Sequence, residues 1–306
     1  MRRSPALVVG AVALTVIGGG AAFATASRLA GPRPDGTAVT PVGFRVTPAG
    51  AQSRLGDLPL TSALSPDGRH LLVSNDGQGT QSLQLVDAAD HKVEQTIPYK
   101  SPESLYMGLA WSPDGQTAYA SAAANSKVRV LHLQGGKLVE GTPLSLPTTN
   151  PAGDKVTLFP AGLAVTPDGK RLVVADQLGD AVSVIDTATG TSATVAAGHR
   201  PLWVTVSKDG ATAFVTDQGA SSVDVVDLTG GAPKVTRRVT VGLHPNRSVL
   251  SPDGRRLYVS NSDADTVSEV DVATATSLLP ELATNSRRPV GSSASPLGVV
   301  PTGAPL

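Results

Sequence analysis

The 306-residue chain carries 25 Lys and Arg against 25 Asp and Glu, so no net field steers it to nucleic acid or to an anionic membrane. It contains no cysteine, which excludes disulfides, thiolate metal sites and a cysteine nucleophile. Charged residues make up only 16%, while 32 Gly and 24 Pro suit a chain rich in turns and strands.

The N-terminus reads as an export leader. Arg2 and Arg3 form a positive start, and Ala6 to Phe23 is apolar and small. Ala22-Phe23-Ala24 and Ala24-Thr25-Ala26 are both small-x-small cleavage candidates. Residues 1–26 are therefore expected to be a signal peptide, with an uncleaved membrane anchor as the alternative. The Gly18-Gly19-Gly20 run argues against a stable spanning helix. Residues 27–40, with Gly31-Pro32-Arg33-Pro34-Asp35-Gly36, read as a flexible linker. The expected location is outside the cytoplasm, extracellular or in the cell envelope, with membrane contact only through the leader.

From residue 41 to 306 the chain is organised by a repeat. Ser65-Pro66-Asp67-Gly68 recurs as Ser112-Pro113-Asp114-Gly115, Thr166-Pro167-Asp168-Gly169, Ser207-Lys208-Asp209-Gly210 and Ser251-Pro252-Asp253-Gly254. The steps are 47, 54, 41 and 44 residues, the period of one repeated supersecondary unit. The third copy is the clearest. Leu163-Ala164-Val165 is a short strand, and Thr166-Pro167-Asp168-Gly169 turns the chain. Arg171 to Asp176 is a second strand, and Ala181 to Asp186 a third with period-2 alternation. Thr191 to Ala197 is a fourth.

Four short antiparallel strands per repeat predict an all-β fold, a β-propeller of four-stranded blades. The blades fall at about 58–100, 105–145, 158–198, 201–241 and 245–280. Ser295-Pro296-Leu297-Gly298-Val299-Val300 reads as a new inner strand, so 293–306 is expected to be a partial blade. Gly43-Phe44-Arg45-Val46-Thr47 reads as an outer strand that would complete the last blade. The expectation is five full blades, a fragment of a sixth and an open ring with an unpaired edge.

Leu257-Tyr258-Val259-Ser260-Asn261 and Phe214-Val215-Thr216-Asp217 carry a resemblance to the YVTN (YncE-like) family of β-propeller repeats, over about residues 58–280. That resemblance implies a ring of seven blades. A narrower likeness rests on the run Asn75 to Leu83 and on Tyr106-Met107-Gly108-Leu109-Ala110-Trp111. These resemble the N-terminal propeller of bacterial exported proteins that join such a propeller to an alkaline-phosphatase-type phosphoesterase domain. The likeness implies such a domain as a partner; nothing in 281–306 matches it.

Strand order places the loops after each second strand, and those leading into each first strand, on one face. There Asp176, Asp217 and Asp263 come from one loop set, and His199, Arg200, His244 and Arg247 from the other. His199-Arg200-Pro201 and His244-Pro245-Asn246-Arg247 occupy equivalent positions between blades. A cationic cluster there suits a small anionic ligand, since Arg pairs bidentately with carboxylate or phosphate. Plain turn and packing roles are the competing reading. The repeated Asp67, Asp114, Asp168, Asp209 and Asp253 are structural, because every blade needs the turn. No catalytic or metal-ligating residue is assigned and no cofactor is expected. The inner strands are largely apolar, and no Gly-x-Ser-x-Gly elbow, P-loop or dinucleotide fingerprint is present. The expected role is a binding scaffold for a ligand or protein. The alternative is a propeller hydrolase of the lactonase kind, or one linked to phosphoester cleavage, working through the loop face.

Overall fold

The computed structural model describes residues 30–47, 50 and 52–276. The chain divides into two compact units, residues 1–54 and 55–306.

In the first unit, β1 (Gly31–Pro32), β2 (Ala38–Val39) and β3 (Arg45–Val46) form a small antiparallel meander. Asp35 caps its first turn by accepting from the Thr37 amide at 3.0 Å, and Gly36 takes φ 78°. Within the expected linker, residues 31–32 pair with 38–39 across a turn. Arg45–Val46, expected in the last blade, pairs with Ala38–Val39 instead. The local hairpin satisfies these strands over a few residues, at little loop-closure cost.

The second unit is a series of antiparallel meanders. Blade 1 comprises β4 (Pro59–Leu64), β5 (His70–Asn75), β6 (Gln81–Asp87) and β7 (Val93–Tyr99). Blade 2 has β8 (Leu109–Trp111), β9 (Thr117–Ala122) and β10 (Lys127–Gln134). Its outer edge is shared by β11 (Lys137–Glu140) and β12 (Leu144–Ser145), both paired with β10. Blade 3 has β13 (Pro160–Val165), β14 (Arg171–Asp176), β15 (Ala181–Asp186) and β16 (Ser192–Ala196). Blade 4 has β17 (Pro201–Val206), β18 (Thr212–Asp217), β19 (Ser222–Asp227) and β20 (Lys234–Thr240).

Blade 5 has three strands among the described residues: β21 (Pro245–Leu250), β22 (Arg256–Asn261) and β23 (Thr266–Asp271). A short helix, α1 (Val272–Thr276), follows where the turn into a fourth strand was expected. The sequence explains the difference. In blade 3 Asp186 accepts from Ala188 and Thr189, and Gly190 at φ 73° then turns the chain back. Asp271 accepts from Thr274 in the same way, but Ala275 stands where Gly190 stood. Alanine disfavours the left-handed conformation and favours helix. The leader 1–26 and the expected partial blade 293–306 lie outside the described residues.

The repeated turn is built identically five times. The Ser or Thr hydroxyl donates to the Asp carboxylate at 2.5–2.6 Å, from Ser65, Ser112, Thr166, Ser207 and Ser251. The same carboxylate oxygen accepts the amide just past the Gly, and each Gly sits at φ 70–75°. These bonds hold Asp67, Asp114, Asp168, Asp209 and Asp253 below the ordinary carboxylate pKa, the hydroxyl contributing most.

The core lies between blades. Tyr119 and Val128 of blade 2 meet Leu163, Leu172 and Ile185 of blade 3. Val173 and Val182 meet Val204, Val215 and Val226 of blade 4. Phe214 and Val223 meet Leu257, Val259 and Val270 of blade 5. The first strands touch in the order β4, β8, β13, β17, β21, so all five face a common axis. Arg247 of blade 5 donates to Thr61 Oγ1 of blade 1 at 3.1 Å, so these two inner strands face each other near the axis.

Candidate functional site

Near the start of each inner strand, one position recurs around the axis. It is Thr61, Gly108, Gly162, Trp203 and Arg247 in blades 1 to 5, and Thr61, Gly108, Trp203 and Arg247 each face or bond the equivalent residue of the second strand. The two glycines are dictated by crowding. A Cβ on Gly108 would stand 2.1 Å from the Ala161 carbonyl oxygen, and one on Gly162 2.6 Å from the Leu202 carbonyl oxygen. Trp203 spreads over Gly162, whose missing side chain gives the indole its place. The Arg247 guanidinium stacks on that indole at 4.2 Å from the ring centroid. Beside them, Met107, Ala161 and Leu202 form a buried apolar cluster, with Leu60, Tyr106 and Trp203 partly buried against it.

Arg247 differs from two arginines that are tied into ion pairs. Arg129 pairs with Glu103 and with Glu140, and Arg238 grips Asp224 through Nε at 2.7 Å and Nη2 at 3.0 Å. Arg247 makes no ion pair among the described residues. Its side chain is exposed, yet the strands around it desolvate the guanidinium enough to lower its pKa.

The histidines are held locally. His199 Nδ1 lies 3.0 Å from Asp180 Oδ2, and the Arg200 amide donates to Asp180 Oδ1 at 2.9 Å. His244 Nδ1 pairs with Asp263. The two segments are equivalent, but the histidines are not: His199 stands two residues before Pro201, His244 immediately before Pro245. Arg200 and His244 match each other, at φ 55° and 49°, as do Leu58 and Phe159 before their own prolines. Their carbonyls accept the amides of Gln218 and Ser262 at 3.0 Å, so loop geometry fixes these positions. The expected cationic cluster therefore resolves into two separate His–Asp pairs, the exposed Arg200 and an axial Arg247.

Asp176 and Asp217 do not reach the loop face; both are fully buried at strand ends. Ser183 Oγ donates to Asp176 Oδ2 at 2.6 Å and Ser222 Oγ to Asp217 Oδ2 at 2.8 Å. Oδ1 of each has no partner, as is true of Asn75 and Asn261 in the same position of blades 1 and 5. Burial pushes Asp176 up to about 7. Burial, and then the charge of neighbouring Asp224, raises Asp217. Gly198 closes over Asp217, since a Cβ there would lie 2.4 Å from its carboxyl carbon. These side chains point inward because strand alternation places them there; sequence alone showed only Asp at a strand end. The sequence reading missed Trp203, treated as part of an apolar strand, and Thr61. The Asp224–Arg238 pair had no signal beyond charge on facing strands. No group of three or more His, Asp or Glu arranged for a metal ion occurs among the described residues.

No family model matches the chain, and no curated protein matches it. Solved structures do. A functionally unknown protein from Desulfotomaculum acetoxidans aligns with TM-score 0.59 at 18% identity, over 78% of this chain and 75% of that one. A putative 6-phosphogluconolactonase from Bacteroides uniformis gives 0.59 at 16%, over 80% and 81%. The periplasmic gluconolactonase of Pseudomonas aeruginosa gives 0.55 at 23%, over 71% and 67%. The fold is a β-propeller. At these identities the likeness extends to the fold alone.

Proposed function

We propose that this propeller, of the YVTN or YncE-like kind, is an exported binding scaffold that holds a ligand or a protein and performs no chemistry with its own residues. One observation carries the reading. Each acid or base expected on the loop face is either sealed in a blade, as are Asp176 and Asp217, or tied to a local partner, as are His199 and His244. Arg200 and Arg247 are the cations left to meet something else, and only Arg247 stands at the axis. The partner classes are a small anionic ligand and a protein, including a phosphoesterase domain of the sort the sequence resemblance implies. The experiment is a turnover assay with lactones and phosphoesters beside calorimetric binding of small anions. Binding without turnover is expected; turnover abolished by His244→Ala in a folded protein would overturn the reading.

A second reading is a lactone hydrolase. It is favoured by the two lactonases among the structural neighbours and by His244–Asp263, a pairing that orients an imidazole as a base. It requires gluconolactone or 6-phosphogluconolactone to be opened by the purified chain, with a rate that drops on Asp263→Asn.

A further inference from the structure

The axial position common to the five blades is occupied unevenly. Two blades contribute glycine, one a threonine, one an indole and one a guanidinium, and the guanidinium contacts both the threonine and the indole. Stacking uses the face of the guanidinium and leaves its edge. Thr61 takes one N–H of that edge, and the others have no acceptor among the described residues. The guanidinium edge is exposed and has no counter-carboxylate, so its free donors are open to an anion that displaces water from them. One guanidinium supplies one charge, which matches a monoanion better than a phosphate dianion. The surface continuing from Trp203 is apolar: Leu60 and Tyr106, partly buried on the Met107, Ala161 and Leu202 cluster. The geometry thus pairs a single cation with an adjoining hydrophobic wall.

We propose that Arg247, Trp203 and Thr61 form an axial subsite for the carboxylate of a small amphipathic acid, whose apolar body lies against Leu60 and Tyr106. Arg247 and Thr61 donate to the carboxylate, and Trp203 holds the guanidinium flat so that both its edge N–H groups face one way. The proposal rests on the binding-scaffold reading and names the ligand class for it.

The chain has two tryptophans, and Trp111 is buried with its indole N–H on the Ala63 carbonyl at 3.1 Å. Fluorescence lost on Trp203→Phe therefore reports the axis. Octanoate, octanol and inorganic phosphate are titrated against the full chain, with calorimetry in parallel. Octanoate is expected to change Trp203 fluorescence and bind at least tenfold more weakly to Arg247→Gln, with Arg247→Lys between the two. Octanol is expected to bind weakly and equally to all three, and phosphate to leave the signal unchanged. Circular dichroism on each variant checks folding, and Arg247→Lys keeps the charge if Arg247→Gln unfolds. Octanoate binding unaffected by Arg247→Gln, the absence of a Trp203 response, or phosphate binding tighter than octanoate would each overturn the subsite. A ligand bound elsewhere with Trp203 silent would leave the scaffold reading standing and this subsite refuted.

Discussion

Asp176 occupies a position that blade 1 fills with Asn75 and blade 5 with Asn261. The amide suits the place: Asn75 donates through Nδ2 to Ser82 Oγ at 3.1 Å and to Gln84 Oε1 at 3.0 Å. A carboxyl in the same setting must give up hydration with only Ser183 in return. Its pKa is raised to about 7, so between the ordinary carboxylate range and pH 7 the native state holds a proton that the unfolded chain has released. Stability from this group is present at low pH and lost as pH rises through that window. Asp176→Asn should therefore stabilise the protein at pH 8 by roughly 1–3 kcal/mol and make urea denaturation less dependent on pH between 5 and 8. Equal or lower stability at pH 8 would contradict the buried-carboxyl account. The sequence showed this carboxylate but not its direction, because an Asp that ends a strand can point to either face.

At the level of elements, the turn and the strand order were legible because each turn is specified by four adjacent residues. Asp168 is held low by the Thr166 hydroxyl and the Lys170 amide, so its contribution is present at neutral pH and disappears as pH falls through its lowered pKa. The group is almost fully exposed, and Asp168→Ala should cost only about 0.5–1 kcal/mol near pH 7 and less at pH 3, by denaturant titration. Gly169→Ala, at φ 74°, should cost about 1 kcal/mol. Gly108→Ala should cost more, about 3 kcal/mol, because its Cβ meets a backbone oxygen that cannot swing aside. Comparable losses for the two glycine variants would mean that the inner strands are not packed this closely. The short helix after the third strand of blade 5 and the pairing of Arg45–Val46 were not legible. Each was decided locally, by Ala275 in place of a turn glycine and by the hairpin around Asp35 to Gly43, against which a repeat pattern carries no information.

Across the whole molecule, the repeat makes equivalent residues comparable. Phe214 and Val223 of blade 4 are buried because blade 5 covers them, whereas their counterparts Tyr258 and Val267 remain 37% and 51% exposed. Phe214→Ala should cost about 3–5 kcal/mol and Tyr258→Ala less than about 1 kcal/mol. Similar costs would show that another surface covers blade 5 in solution. The five described repeats were visible in the chain, but the meeting of Thr61 and Arg247 was not. They are 186 residues apart, and the arrangement of the inner strands about a common axis brings them together. Repeats that look interchangeable in sequence thus present an uneven set of side chains to one axis. Since the chain has no cysteine, Thr61→Cys and Arg247→Cys introduced together are the only thiols, and a short bifunctional thiol reagent measures their proximity directly. The account predicts an intramolecular cross-link in the monomer, at a yield independent of protein concentration. Cross-linking only between molecules, or none in the folded protein, would contradict it.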